Sequence, residues 1–170
     1  MTVELWIVRH AKARHSGPEW PDDMQRPLTA AGARQAARLA KLLERMEVRF
    51  DRLFSSPWVR AAETAEPLRV ALGHGRHVEY LSALTEGDPV ALLSALSSEL
   101  GSEAACAAVV GHEPQLSAFG SLLVTGRADG MPVSFRKGAA LVLEGELTAG
   151  GMALRAFLPA SVVASLVNQA

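Results

Sequence analysis

The sequence predicts an α/β fold, a three-layer α/β/α sandwich whose central sheet is mostly parallel with an antiparallel edge. Apolar runs of strand length alternate with longer segments of helical period, as in successive βα units. The first run, residues 3–9, is almost continuously apolar, which is typical of a strand buried on both faces. The last two runs, 139–144 and 152–158, are separated by Gly150 and Gly151, too few residues for a helical crossover, and therefore predict the antiparallel edge.

The remaining elements follow from apolar spacing and from residues that start or stop helices. Ser, Thr and Asp cap helix N-termini well, and proline fits the first helical turn but breaks a helix interior. On this basis Pro67 should break or kink the second helix. The predicted helix starts are Thr29, Ser56–Pro57, Asp88–Pro89 and Pro114. Short strands are predicted at 52–54 and 77–81, and a buried strand at 107–110.

Length and composition predict one globular domain over residues 1–170. The chain has a formal net charge of -1 and is 49% hydrophobic, which does not favour nucleic acid as a partner. The N-terminal apolar run is too short for a signal sequence or a membrane span, so we expect a cytoplasmic protein without membrane association. Cys106, the only cysteine, lies in an apolar run, so we expect a buried thiol and no disulfide.

Two histidines and two arginines are predicted to meet at one edge of the sheet. Arg9 and His10 stand where the first strand ends, and His112 stands where a later strand ends. The carboxyl ends of parallel strands form the ligand-binding edge of open α/β sheets. Arg60 falls in the first turn of a helix, where its side chain leans back toward the helix N-terminus and the same edge. The four side chains therefore converge.

This combination of side chains suits phosphoryl transfer. The planar guanidinium groups of Arg9 and Arg60 match phosphate oxygens and neutralise their charge. A neutral imidazole can attack phosphorus, while a second, protonated imidazole can donate hydrogen bonds to the phosphoryl oxygens. Neither role requires a metal, and we expect no cofactor. The other histidines, His15, His74 and His77, lack the convergent spacing of metal ligands.

These four residues belong to a set of four motifs that are spaced over about the first three quarters of the chain. They are Arg9-His10-Ala11-Lys12-Ala13; Arg26-Pro27-Leu28-Thr29 with Gly32; Ser55-Ser56-Pro57 with Arg60-Ala61 and Thr64-Ala65; and Val110-Gly111-His112. In this order the motifs resemble those of the histidine phosphatase superfamily, which is phosphoglycerate mutase-like, and of its SixA-type phosphohistidine phosphatase branch.

The resemblance implies a phosphoglycerate mutase-like fold and a phosphohistidine intermediate on His10, which water then hydrolyses. It also implies that Arg9, Arg60 and His112 form the phosphate pocket. The sequence departs from the common family pattern at Ala11, where many members have Gly, and at Glu63, where many have Gln. Glu63 could orient a pocket side chain, but a glutamate early in a helix is also explained by the helix dipole, and we favour that structural interpretation.

A general acid is less well defined. Glu86 and Asp88 are the candidates, and Glu86 is the better one because Asp88 before Pro89 suits a helix N-cap. An ester needs such an acid for its alkoxide leaving group, whereas imidazole, with a pKa of about 6.5, leaves more easily. Lys12, Arg14 and Arg26 are predicted to form a positive substrate rim, although Arg26 could equally tie down the loop that leaves His10. Arg136 and Lys137 are weaker rim candidates.

Three functions remain open at this point. The first is a phosphatase that acts on a phosphohistidine-bearing protein domain, and the short segment between Arg60 and His112, with no long insertion to build a lid, favours it. The second is a small-molecule phosphomonoesterase with the same His10 chemistry. The third is an inactive phosphate-binding regulatory module, which the presence of all four pocket residues disfavours.

Overall fold

The computed structural model describes residues 2–85, 87–101 and 104–168. The strands are β1 (Thr2–Arg9), β2 (Arg52–Ser55), β3 (Glu79–Tyr80), β4 (Cys106–Gly111), β5 (Ala140–Glu146) and β6 (Met152–Leu158). The helices are α1 (Ala30–Arg45), α2 (Val59–Leu68), α3 (Pro89–Leu100), α4 (Gln115–Thr125) and α5 (Ala160–Asn168). Short 3-10 turns lie at Asp23–Gln25, Arg69–Ala71 and Ser82–Thr85. No helix within the described ranges is long and apolar enough to cross a membrane.

The six strands form one mixed sheet in the order β3-β2-β4-β1-β5-β6. The strands β1, β2, β3 and β4 run parallel to one another, while β5 is antiparallel to both β1 and β6. The predicted parallel sheet with an antiparallel edge is therefore confirmed.

Helices cover both faces of the sheet, and an apolar cluster lies between the sheet and the helices on each face. The side chains of β1 alternate between these two clusters. Leu5 and Ile7 pack into a cluster with the apolar faces of α3 and α4. Trp6 and Val8 pack on the other face with α1, α2 and α5. Each of these four side chains is at most 2% exposed, so β1 is buried on both faces as predicted.

Two of the predicted helix caps form. The Thr29 hydroxyl accepts a hydrogen bond from Gly32 N at 3.0 Å at the start of α1, and Asp88 accepts one from Val90 N at 2.8 Å at the start of α3. The predicted start of α2 is wrong by about two residues. Trp58 occupies its N-cap, and the Ser56 hydroxyl, two residues earlier, accepts from Trp58 N at 3.3 Å.

Other boundaries also differ from the sequence-based expectations. Helix α2 includes Pro67 and ends at Leu68, after which the 3-10 turn Arg69–Ala71 begins, so the break expected at Pro67 occurs one residue later. The strand predicted at 77–81 is reduced to the two residues of β3. Helix α5, whose buried side chains are Val163 and Val167, was not predicted.

Cys106 lies at the start of β4 and is half-buried, less so than predicted. Its thiol donates a weak hydrogen bond to Glu4 Oε1 at 3.6 Å. Burial and then the nearby Glu4 carboxylate raise the pKa of the thiol to about 12, so it is an unreactive group at neutral pH.

Gly32 brings the loop after β1 into close contact with the first turn of α1. A Cβ atom at this position would lie 2.0 Å from Lys12 O. The same carbonyl accepts hydrogen bonds from Thr29 N at 2.9 Å and from the Thr29 hydroxyl at 3.0 Å. The backbone just beyond His10 is thus fixed on the helix N-terminus, and only glycine permits this approach.

We expect Gly32→Ala to destabilise the fold by about 1–3 kcal/mol, the usual cost of an overpacked buried contact, and to lower activity by displacing the loop. Urea denaturation measures the first effect. Gly73→Ala is the matched control, because a Cβ at Gly73 meets only Arg76 side-chain atoms, at 3.7 Å. Equal stability of the two variants would contradict the interpretation of the Gly32 contact.

Candidate active site

A cavity of about 330 Å³ opens at the carboxyl ends of β1 and β4. All four residues that the sequence predicted to converge line it. The register pairs Arg9 with Gly111, and His10 N donates to Gly111 O at 3.0 Å, so the two following histidines stand beside each other. The lining residues are Arg9, His10, Arg26, Trp58, Arg60, Leu84, Thr85, Gly87, His112, Glu113, Pro114, Gln115 and Lys137.

His10 is held in one tautomer. The side chain is 5% exposed, and its Nδ1 lies 2.7 Å from Ala11 O. A carbonyl oxygen can only accept, so Nδ1 carries the proton and Nε2 keeps its lone pair. Burial lowers the pKa of His10, the hydrogen bond to Ala11 opposes this shift, and the positive charges of Arg60, Arg9 and Lys137 add to it, so that the pKa is about 4. The ring is therefore neutral at pH 7, and an imidazole nitrogen with a free lone pair is chemically able to act as a nucleophile.

His112 lies against His10, with 5.1 Å between the ring centroids. Its Nε2 is 2.8 Å from the Ser56 hydroxyl, and its Nδ1 is buried without a hydrogen-bond partner in the part of the chain that the structure describes. Burial, and then the neighbouring His10 and arginines, lower the pKa of His112 to about 3. The sequence led us to expect a protonated second histidine, but the protein's own groups keep this ring neutral. A bound phosphoryl dianion would oppose that effect.

Arg9 is held by the backbone carbonyl of a residue that is distant in sequence. Its Nη1 donates to Phe135 O at 2.6 Å, and its Nε is buried without a partner among the described residues. Burial lowers the pKa of Arg9, and the carboxylate of Glu113 opposes the shift. The guanidinium still carries its charge at neutral pH and has further N–H groups to donate to an anion.

Arg60 is 4% exposed and is anchored by contacts on two sides. Nη1 donates to Asp23 O at 2.7 Å, and Nη2 donates to Asp23 Oδ2 at 3.0 Å. The guanidinium carbon lies 4.5 Å from the ring centroid of Trp58, whose ring is also 4.6 Å from that of His112. Trp58 and Asp23 are site residues that the sequence reasoning missed, since neither belongs to the motifs that point to phosphate.

The predicted rim is only partly correct. Arg26 lines the cavity and donates from Nε to Asp23 Oδ1 at 2.8 Å. Lys12 and Arg14 are exposed and are not among the lining residues; the Arg14 carbonyl instead accepts a hydrogen bond from Arg26 Nη1 at 2.6 Å. Transfer of the Lys12 and Arg14 side chains from solvent into the cavity would cost hydration free energy and would place them beside other cations.

Of the two weaker rim candidates, Lys137 lines the cavity and the exposed Arg136 does not. Burial lowers the pKa of Lys137, and the surrounding Arg9, Arg26 and Arg60 lower it further. The described walls therefore carry positive charge on several sides, which suits an anionic ligand.

The candidate acids are differently placed. Glu86 lies outside the described residues, although Thr85 and Gly87 on either side of it line the cavity. Asp88 caps α3 and does not line the cavity. Glu113, which the sequence reasoning did not consider, does line it, and burial raises the pKa of its carboxyl above the usual range while the Ser117 hydroxyl donates to it at 2.5 Å.

Glu63 supports the site from outside the cavity. Its Oε2 accepts a hydrogen bond from Leu28 N at 2.7 Å and so ties α2 to the loop that precedes α1. The favoured structural interpretation of Glu63 agrees with this contact, which is made to a backbone amide and not to a pocket side chain.

Comparisons with known proteins agree with this geometry. Residues 5–113 match the model of the histidine phosphatase superfamily (branch 1). The phosphohistidine phosphatase SixA of Escherichia coli K12 is 31% identical over 113 residues, which cover 66% of this chain and 68% of SixA.

Solved structures show the same fold. A structure of the protein histidine phosphatase SixA complexed with tungstate superposes with a TM-score of 0.80 at 23% identity, covering 94% of this chain and 98% of that one. The α-ribazole phosphatase of Shigella flexneri superposes with a TM-score of 0.67 at 19% identity, covering 93% and 97%. The phosphoglycerate mutase-like α/β sandwich expected from the sequence is thereby confirmed.

We expect the two buried histidines to make the fold less stable in acid. The unfolded chain binds protons on them near pH 6.5, whereas the folded protein binds them only near pH 4 and 3, so the free energy of unfolding falls as the pH drops from 7 to 4. The expected loss is roughly 1–3 kcal/mol per histidine. Urea denaturation across this range measures it, and His10→Asn should flatten the slope. An unchanged slope in His10→Asn would contradict the low pKa.

Proposed function

We propose that this chain, which belongs to the histidine phosphatase superfamily and to its SixA-type branch, removes the phosphoryl group from phosphohistidine on a partner protein through a covalent intermediate on His10. Its activity as a phosphatase follows from the family. The observation that carries the proposal is the pair of buried, neutral histidines 5.1 Å apart between Arg9 and Arg60.

In the first step Nε2 of His10 attacks phosphorus, and the bond from phosphorus to the substrate's imidazole nitrogen breaks. The hydrogen bond to Ala11 O favours this step because it leaves Nε2 unprotonated and stabilises the positive charge that develops on the ring. Arg9 and Arg60 donate to the phosphoryl oxygens, over which the negative charge is spread during transfer. His112, protonated as the dianion binds, donates to the same oxygens.

In the second step water attacks the phosphoryl group on His10, and the bond between phosphorus and Nε2 breaks. The products are orthophosphate and the neutral histidine. The same four side chains stabilise both transfers, because each passes through a transition state with the same distribution of negative charge.

The leaving group supports phosphohistidine as the substrate. Imidazole, with a pKa of about 6.5, departs readily with a proton from a weak donor, whereas an alkoxide needs a strong acid. Among the described lining residues Glu113 is the one carboxylic acid, and it is partly buried beside His112. The segment between α2 and β4 contributes Leu84, Thr85 and Gly87 to the described walls.

The substrate assignment is tested by incubating the protein with a phosphohistidine-bearing protein domain and with a panel of sugar and nucleotide phosphate esters. We expect release of orthophosphate from the phosphohistidine domain at a kcat/KM at least about a hundred-fold above that for any ester, since a poor leaving group costs several kcal/mol. Hydrolysis of esters alone would overturn the substrate assignment, and hydrolysis of neither would favour a binding module.

We expect His10→Ala to abolish turnover and to abolish a phosphoenzyme that is stable in base and labile in acid. The native protein, quenched in base after brief exposure to labelled substrate, should carry the label. His15→Ala is the control, because His15 is an exposed loop histidine outside the cavity and should leave the label intact. A label that persists in His10→Ala would assign the nucleophile to another residue.

A further inference from the structure

Asp23 joins two cations of the cavity. It lies in the 3-10 turn of the loop between β1 and α1. One carboxylate oxygen accepts from Arg60 Nη2 at 3.0 Å and the other from Arg26 Nε at 2.8 Å, while the backbone carbonyl accepts from Arg60 Nη1 at 2.7 Å. Both terminal nitrogens of Arg60 therefore bond to one residue.

The side chain of Arg60 depends on this partner because it is buried. Burial lowers the pKa of Arg60 and the nearby Arg26 lowers it further, whereas the charge of Asp23 and its hydrogen bond raise it. A buried cation without a counter-charge is costly, and a single well-placed carboxylate offsets that cost for two neighbouring arginines. Trp58 restricts the guanidinium from the other side.

Arg60 keeps donors for a ligand while it is held in this way. A guanidinium has five N–H groups, and the contacts to Asp23 use two of them. The Nε–H has no partner within the described ranges. Asp23 therefore fixes the plane of the guanidinium without saturating it.

Asp23 itself is a poor proton donor. Its hydrogen bond to Arg26, and then the charges of Arg60 and Arg26, lower the pKa of the carboxyl, so it is ionised at neutral pH. Its side chain is 45% exposed. A carboxylate at this position repels a phosphoryl dianion. Asp23 therefore promotes phosphate binding only if its effect on the arginines outweighs that repulsion.

We propose that Asp23 is a positioning residue that orients Arg60 and Arg26 for the phosphoryl group of the substrate. The importance of Asp23 for turnover rests on the proposed function. The effect of Asp23 on anion binding does not depend on which phosphorylated molecule is the substrate.

The test compares Asp23→Asn with Asp22→Asn by calorimetric titration with orthophosphate. Asn at position 22 removes the same charge from the same turn and can still cap it, as Asp22 does by accepting from Met24 N at 2.9 Å. We expect Asp23→Asn to weaken orthophosphate binding roughly ten-fold, the loss of one charge-assisted hydrogen bond, and Asp22→Asn to change it less than about two-fold. Asp23→Glu, which keeps the carboxylate, should retain more affinity than Asp23→Asn.

A double-mutant cycle separates positioning from a general loss of structure. In an Arg60→Ala background, Asp23→Asn should weaken orthophosphate binding less than about three-fold, because the main residue through which it acts is gone. Thermal unfolding of each variant is recorded in parallel, since misfolding would lower binding in both backgrounds.

The proposal is overturned if Asp23→Asn binds orthophosphate as tightly as the native protein or more tightly, because a carboxylate that merely competes with the ligand for Arg60 would give that sign. Additive losses in the double-mutant cycle would also overturn it. Failure of the native protein to hydrolyse phosphohistidine, with the expected order of orthophosphate affinities intact, would overturn the proposed substrate and leave the role of Asp23 supported.

Discussion

The parallel pairing of β1 with β4 determines where the chemistry can occur. The pairing places Arg9 opposite Gly111, and the next residue on each strand is a histidine. A shift of two residues along β4 would keep every side chain on its face but would move His112 by about two residue rises, roughly 6–7 Å, from His10. The two apolar clusters oppose such a shift, since β1 and β4 are buried on both faces. Core packing therefore sets the distance between the imidazoles.

The cavity concentrates positive charge, and the fold compensates for this with oxygen atoms from segments distant in sequence. Arg9 bonds to the carbonyl of Phe135 and Arg60 bonds to Asp23. Both arginines retain unused N–H groups, which would be unfavourable in a site with no function. The same burial that makes these groups costly to the fold strengthens their attraction for an anion, because charge interactions are less screened away from water.

Sequence reasoning succeeded where a few neighbouring residues are enough to predict the local structure. The apolar run of β1, the cap at Thr29 and the Pro-containing start of α3 are local signals, and they locate the sheet edge at which His10 must lie. It failed for contacts between segments. Nothing near Asp23 in the sequence indicates that Arg60 will meet it, and the exposed position of Lys12 follows from the way its loop docks on Gly32.

The low pKa values of His10 and His112 change the role that the sequence alone suggests for the second histidine. If His112 carried a proton before substrate arrived, it would add to the repulsion among the neighbouring arginines and would weaken the fold. The fold instead keeps both rings neutral, which preserves the lone pair of His10 and leaves His112 able to take up a proton when negative charge arrives. A phosphoryl dianion bound beside these rings would therefore favour the protonated form of His112, which is the form that the proposed transfer requires, because its negative charge opposes the positive charge of the arginines.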